Sequence, residues 1–496
     1  MAKNTEETKA EGAVETAEAE IGLLDQIINE GRMALHDSQR PASITMIGEF
    51  VDQAIENPMS RSRDTAEMIN RRIAQIDEQI SRQLNEILHH EEFQKLEASW
   101  RGLKYLVFET ETGEMLKLRL LPITKKELLN DLEKAVDFDQ SQLFKKVYEE
   151  EYGTLGGNPY GMLIGDFEFD RLPQDVDLID RISHVAAAAH APFISAANPS
   201  LFDMGSFTEL AGPRDLSKIF ETAEMIKWNA FRKGEDSRYV ALTLPHILMR
   251  LPYGPKTKPV EEFNFVEDVT GKDHTKYLWG NAAYALGIRI NKAFSKYGWC
   301  TAIRGVEGGG LVEGLELHTF LTDDGEIAPK CPTEIAITDR REKELNDLGF
   351  IALCYQKNSA QAAFFGGQTV NKPKPYDVPA ANANARLSSQ LPYILATSRF
   401  AHYLKVKVRN QVGTFMTRKN VEDSLNNWIT TYVLLSDDAG QELKAKYPLR
   451  EARIDVMDIP GRPGAYTAIA YLRPHFQLDA LTTSLRLVAE LPAAIG

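Results

Sequence analysis

The chain has 496 residues, long enough for about two to four domains and a sizeable hydrophobic core, so a small scaffold held by disulfides or a metal is excluded. Hydrophobic residues make up 43% and charged residues 26%, the balance of a globular chain rather than a disordered or collagen-like one. Lys plus Arg number 57 against 71 Asp plus Glu, and the resulting net charge of −14 disfavours nucleic acid and anionic membrane surfaces as partners.

The first twenty residues carry six Glu, two Lys and almost nothing large and apolar, which predicts a solvated, disordered leader. Ile21, Leu24, Ile28 and Leu35 then recur at helical spacing, and Ile44, Ile47, Val51 and Ile55 repeat the pattern after a break at Pro41. Two short amphipathic helices are expected. Residues 1–60 hold twelve acidic and four basic side chains, so this arm carries −8 of the total −14. Its apolar faces have no obvious partner within so short an arm. Ile21, Leu24, Ile28, Ile47 and Val51 are therefore candidates for docking, either on another chain or on the rest of this one.

Over residues 62–103, Ile69, Ile73, Ile76, Ile80, Leu84 and Ile87 alternate steps of three and four, which predicts one long amphipathic helix. Phe93, Leu96, Trp100 and Leu103 continue the stripe in a shifted register after the polar run 89–92, and Gly102 suggests its end. Residues 115–121 alternate as a strand. Strand-like runs at 162–167, 192–196 and 239–244 are interleaved with helical stretches, the texture of an α+β (mixed α/β) chain.

The sequence KPKPYDVP at 372–379 is the best internal boundary, giving expected domains 1–60, 61–375 and 376–496. Residues 381–420 then hold Arg386, Arg399, Lys405, Lys407, Arg409, Arg418 and Lys419 with no Asp or Glu, a helical-looking segment of +7. It reads either as a solvated basic face or as a docking surface for an acidic partner. Further on, Ala452, Ile454 and Val456 alternate with Arg453 and Asp455, PGRPG turns the chain at 460–464, and 465–472 returns. Leu485, Leu487 and Ala489 alternate again in the run 484–491.

No motif for chemistry emerges. Gly305, Gly308, Gly309, Gly310 and Gly314 are followed by Leu311, Val312 and Glu313, not by the Lys and hydroxyl of a P-loop, and they fit no dinucleotide spacing; a tight loop is expected. His89, His90, Glu91 and Glu92 lack the one-turn spacing of a zinc helix, since the needed position is Gln94. Asp175, Asp177 and Asp180 sit where a helix begins, and lone histidines such as His246 and His318 read as hydrogen-bonded core residues. There is no G-x-S-x-G elbow, and Cys300, Cys331 and Cys354 are scattered singly. No catalytic, metal or cofactor site is expected, and the chain is expected to be cytoplasmic, without a membrane span. The alternative is an NTP-dependent enzyme or motor whose phosphate loop lies outside the known patterns.

Several long strings are familiar together: FQKLEASWRGLKYLV at 93–107, GGNPYGMLIGDFEF at 156–169, PHILMRLPYG at 245–254, YLWGNAAYALGIRINKAFSKYGWCTAIRGVEGGGLVEGL at 277–315, and YLRPHFQLDALTTSLRLVAELP at 471–492. They resemble the large sheath subunit of bacterial type VI secretion systems, the TssC or VipB family, over nearly the whole chain from about residue 21. The region 338–373 is similar, more loosely, to phage tail sheath proteins. This resemblance implies a multi-domain contractile tail-sheath-like fold with an extended N-terminal arm and no catalytic residues. It implies pairing with a small subunit (TssB or VipA), helical assembly around a tube of Hcp, a baseplate, and recycling of contracted sheath by the AAA+ unfoldase ClpV. Within it, Ala452, Ile454, Val456, Leu485, Leu487 and Ala489 are candidates for strands shared between subunits. Arg386, Arg399, Lys405, Lys407 and Arg409 are candidates for charged docking.

Overall fold

The computed structural model describes residues 36–56, 65–212, 214–261, 263–269, 273–322, 324–414, 416–436, 438–460 and 465–478, together with 28, 31, 33 and 34; side chains at 50–56 and 65–68 are outside that description. The expected leader, Ile21, Leu24, Leu485, Leu487 and Ala489 lie outside the described residues, as does most of the PGRPG turn. The chain divides into two units, 1–84 and 85–496.

The first unit holds helix α1, Arg40–Glu56, and all but the last turn of helix α2, Thr65–Leu88. Pro41 does not interrupt a helix. It is the second residue of α1, where a missing N–H costs nothing because first-turn amides have no intrahelical acceptor. Ser43 is buried and donates to the carbonyls of Met33 and Gln39 at 2.8 and 3.2 Å, which ties the start of α1 to the preceding segment.

The stripe expected to form one helix over 62–103 forms two. His90 takes an extended conformation (φ −70°, ψ 129°) and caps helix α3, Glu91–Phe108, whose first turn holds Glu91 and Glu92, as the helix dipole favours. Gly102 is not the end of this helix. It is buried at the point where α3 crosses helix α7 (Ala283–Tyr297), and a Cβ there would come within 2.3 Å of the Tyr284 ring.

The core of the second unit is a six-stranded sheet in the order β1-β2-β3-β9-β10-β6. Its strands are β1 (Leu163–Phe169), β2 (Phe193–Ala197), β3 (Val240–Leu244), β6 (Leu311–Val312), β9 (Phe350–Tyr355) and β10 (Ala362–Phe364). The first four neighbours run parallel, and β10 and β6 close the sheet antiparallel. Two-stranded ribbons β4 (Ile247–Leu248) with β5 (Trp279–Gly280) and β7 (Thr319–Leu321) with β8 (Ile327–Pro329) lie apart from it. Successive residues of the central strands enter opposite cores. Val240, Leu242, Phe350 and Ala352 face one that includes Val176 and Ile182 of α5 (Pro173–Ala189) and Trp228 of α6 (Ile226–Lys233), whereas Ala241, Ile351 and Leu353 face the other, with Leu286 and Ile290 of α7. A parallel sheet covered on both faces is the arrangement such all-apolar strands require.

The strand expected at 115–121 does not join a ladder among the described residues. Its cations bind sideways: Arg119 pairs with Glu151 and Lys117 donates to Asn158 at 3.3 Å, so side chains rather than main chain hold the segment down. Beyond helix α8 (Asp339–Asp347), the basic region forms α9 (Pro379–Leu387) and α10 (Leu391–Gln411) and opens α11 (Arg418–Thr430). Strands β11 (Leu449–Asp458) and β12 (Tyr466–Pro474) pair antiparallel and lay Ile454 and Val456 on α11, in a third core with Phe400, Trp299 and Ile429.

Candidate assembly surfaces

The apolar faces of the first long helices are uncovered. In α2, Ile69, Ile73, Ile76 and Ile80 are exposed, with Ile73 at 51% of its full surface. Within the second unit, α3 buries Gly102 and Leu106 against α7 yet exposes Leu96, Trp100 and Val107 on its other side, with Trp100 at 62%. Burying such side chains is worth about 1.5–3 kcal/mol each, so helices that leave a row of them in water present a surface for another polypeptide. Of the arm residues, Ile28 is buried, Ile47 is half-buried, and the side chain of Val51 is outside the described set.

The basic segment is drawn into its own chain. Arg386 pairs with Asp347 at 3.1 Å, Arg399 stacks on Tyr403 (4.9 Å) and Phe294 (5.9 Å), and Lys407 lies 5.1 Å from the Trp428 ring centre. Lys405 sits between Tyr152 and Tyr148, 3.5 and 4.7 Å from their ring centres, and Arg409 donates to the carbonyls of Tyr152, Gly153 and Thr154. These rings and carbonyls belong to the π-helix Lys145–Gly153 and its end, so α10 is clamped to it by its cations. Ala452, Ile454 and Val456 turn their side chains toward α11 and stand opposite Leu472, Ala470 and Ala468 of β12 in the hairpin register.

The carboxyl ends of the parallel strands are where an α/β fold usually holds a ligand. A closed polar network occupies that place here. His246, just after β3, lies 2.5 Å from Glu334 and 2.9 Å from Glu168, the latter also bonded by Asn198 after β2 at 2.7 Å. Ser206 donates to Glu334 at 2.8 Å, and His274 approaches it to 3.1 Å. Burial opposes a charge on His246, but the two carboxylates overcome it and push its pKa up to about 10. Burial likewise opposes the charge on Glu334, and the bonds from His246, His274 and Ser206 hold it well below the usual carboxylate range. With both nitrogens of His246 donating, it has no lone pair for a metal or for base catalysis.

The glycine run closes on itself. The Gly305 and Gly310 amides donate to the carbonyls of Phe364 and Gly305, and a Cβ on Gly309 (φ +93°) would meet the Ala302 carbonyl at 2.2 Å. It is a tight turn between α7 and β6 whose amides face their own chain. Among the described residues, no group of three or more His, Cys, Asp or Glu is placed to hold a metal, and no helix is long and apolar enough to cross a membrane.

Comparison with known proteins gives these surfaces a context. The family model described as EvpB/VC_A0108, tail sheath N-terminal domain, matches residues 70–371, and that of the tail sheath gpW/gp25-like domain matches 380–491. The chain is 51% identical over 458 residues, 92% of each chain, to type VI secretion system sheath protein TssC1 of Pseudomonas aeruginosa PAO1. Among solved structures, it is similar to a chain of the anti-feeding prophage baseplate at 10% identity and a TM-score of 0.38, covering 75% of this chain and 83% of that one. A chain of the PVC sheath complex in its contracted state matches at 8% identity and a TM-score of 0.33, covering 62% of this chain and 68% of that one.

Proposed function

This chain belongs to the VipB tail-sheath family, and we propose that it works as the large structural subunit of a type VI secretion contractile sheath, paired with a small sheath subunit of the TssB or VipA kind. The observation that carries the pairing is the uncovered row Ile69, Ile73, Ile76 and Ile80 on α2, repeated on α3 by Leu96, Trp100 and Val107. Paired subunits polymerise helically from a baseplate around an Hcp tube, and contraction of the lattice drives the tube. Residues 61–375 form the outer body and 376–496 the inner one. The work comes from assembly energy stored in many weak contacts, each ladder bond contributing about 1 kcal/mol, and recycling falls to a ClpV-type unfoldase. All of this takes place in the cytoplasm.

Strand exchange supplies the links of the lattice: an extended segment of one copy, for which 484–491 is the candidate, adds to a sheet of the next. Negative-stain microscopy of the chain co-expressed with the small-subunit gene tests the reading. Hollow tubes with cogwheel ends are the expected result. A monodisperse chain indifferent to the small subunit would overturn it.

A further inference from the structure

Two neighbouring stretches of the chain carry strong and opposite charge. Residues 305–329 hold six Asp and Glu with no Lys or Arg, whereas residues 348–420 hold ten Lys and Arg against one acid, Asp377. On α10 the cations Arg399, Lys405, Lys407 and Arg409 are engaged by rings and carbonyls of their own chain. Lys372 and Lys374, in the segment before α9, are exposed, and among the described residues neither side chain has an ion pair or a ring contact.

The acidic stretch builds the ribbon β7–β8. Leu321 stands opposite Ile327 and Thr319 opposite Pro329, so these four residues share one face. That face is open to water, with Leu321 at 69% and Ile327 at 74% of their full surface, whereas Phe320 and Ala328 turn the other way and are half-buried. Asp324 and Glu326 at the tip are exposed too, and among the described residues neither is in an ion pair. An apolar pair edged by carboxylates calls for a partner surface that is both apolar and basic.

Residues 372–378 have that composition, since Tyr376 and Val378 are exposed beside the two lysines. Their shape is set in advance. The Lys372 amide donates to the Arg232 carbonyl at 2.8 Å, and the Asn382 side chain holds the Tyr376 amide and carbonyl at 2.6 and 2.7 Å. Pro373 and Pro375 restrict the backbone between these anchors. A recess of about 210 Å³ opens beside the lysines, lined by Asn346, Asn371 and Pro373 and by Asp347, whose charge is met by Arg386. A segment already ordered in this way loses little conformational freedom when it is covered.

The two surfaces lie at opposite ends of β3. Val370, two residues before Lys372, donates to the carbonyl of Val240, the first residue of that strand, so the basic segment sits at the amino ends of the parallel strands. The chain that follows the ribbon is fastened past their carboxyl ends, where Leu248 donates to the Pro332 carbonyl and Glu334 to that of His246. Complementary patches at opposite ends of one body make a head-to-tail contact, which builds rings or open filaments rather than closed pairs.

We propose that the ribbon β7–β8 of one copy docks on the segment 372–378 of a second copy, Asp324 and Glu326 facing Lys372 and Lys374, and Leu321 and Ile327 facing Tyr376 and Val378. The inference rests on the sheath reading for the polymer this contact serves, and the contact is made by side chains, apart from any shared strand.

Charge reversal and its rescue test it, in the chain co-purified with the small subunit. Asp324→Lys with Glu326→Lys, and separately Lys372→Glu with Lys374→Glu, should each lower the yield of sedimentable tubes about fivefold or more, with small-subunit capture and the far-UV spectrum unchanged. All four substitutions in one chain restore opposite charges across the contact, and the yield should return to within about twofold of wild type. A quadruple variant no better than either double variant overturns the contact. Carbodiimide cross-linking of wild-type tubes, built from equal parts of nitrogen-15-labelled and unlabelled chain, should join an acid of 324–326 to Lys372 or Lys374 in peptides of mixed isotope. The same link found only in peptides of a single isotope would place it within one chain and overturn the proposal. Wild-type chain that forms no tube fails the sheath reading itself, whereas wild-type tubes that neither reversal impairs fail this contact alone.

Discussion

Lys405 holds its ammonium 3.5 Å from the centre of the Tyr152 ring, a contact that joins a helix of the 380–491 match to the π-helix inside the 70–371 match. Arg409 reinforces it on the carbonyls at the end of that π-helix, where a cation is favoured. These cations stabilise the joint within one chain. Lys405→Met should therefore cost about 0.5–2 kcal/mol in urea unfolding of the co-purified complex. An unchanged midpoint would show that the ring contact contributes nothing. Reversing Lys405, Lys407 and Arg409 to Glu would damage this joint whatever it does to assembly, so a lattice role for the segment is better read from salt. Wild-type tubes lost at high salt, with the unfolding midpoint unmoved, would support that role.

How much of this was legible in the sequence depends on how far each signal reaches. The strands β1, β2 and β3 were visible as apolar runs, because a buried parallel strand declares itself locally. The break between α2 and α3 was visible only as a shift of register at 89–92, since His90 caps a helix by main-chain conformation rather than by side-chain type. The role of Gly102 was invisible because Tyr284 lies far along the chain. The +7 run looked like a free surface because the acceptors of its cations, aromatic rings and backbone carbonyls, carry no opposite charge in the sequence. The spacing of Arg418, Glu422 and Asn426 was present in the sequence, yet their bonds to the main chain of Ile454 and Val456 exist only where β11 lies beside α11.

The network around His246 makes a prediction with a definite sign. Its pKa is raised from about 6.5 to about 10, so the stabilisation it gives is full below the first value and is lost as pH rises through the second. Glu334 is lowered, so its contribution is present above the ordinary carboxylate range and lost as pH falls below it. Wild type should accordingly hold a broad plateau around neutrality. His246→Gln leaves two carboxylates facing each other without a cation and should cost about 2–4 kcal/mol at pH 7, softened by the partial exposure of Glu168. Its deficit should shrink as pH falls toward 5, when one carboxyl takes up a proton. Between pH 7 and 10 the deficit should also fade, as the wild type loses the charge on His246, and a deficit that stays constant over that range would show that His246 is neutral in the fold.

The isoleucine row of α2 predicts the solubility of the chain alone. Expressed without a partner it should aggregate, and Ile73→Asp with Ile80→Asp should leave it more soluble while weakening capture of the small subunit. If each side chain contributes about 1 kcal/mol at the interface, affinity should fall about 30-fold. Pull-down of the co-expressed small subunit and light scattering of the lone chain report the two effects. Capture at wild-type strength by the double variant would remove this row from the heterodimer contact.

Strand addition can be tested at both ends with proline. Ala470 lies on the edge of β12 whose amides point away from β11, so Ala470→Pro removes a donor that the hairpin does not use, and proline is tolerated at such edge positions. The hairpin should therefore fold, the small subunit should co-purify, and long tubes should vanish, because the neighbour loses a main-chain bond and the edge is bent. Leu487→Pro attacks the proposed donor run and should give the same result: heterodimer retained, tubes and secretion lost. The two variants mixed together should not rescue each other, since every link in the mixture meets either a damaged acceptor or a damaged donor except where a wild-type edge of one meets a wild-type run of the other, and such links cannot propagate. Full-length tubes from Ala470→Pro would show that the β12 edge is not the acceptor. Loss of the small subunit from either variant would instead place that segment inside the heterodimer.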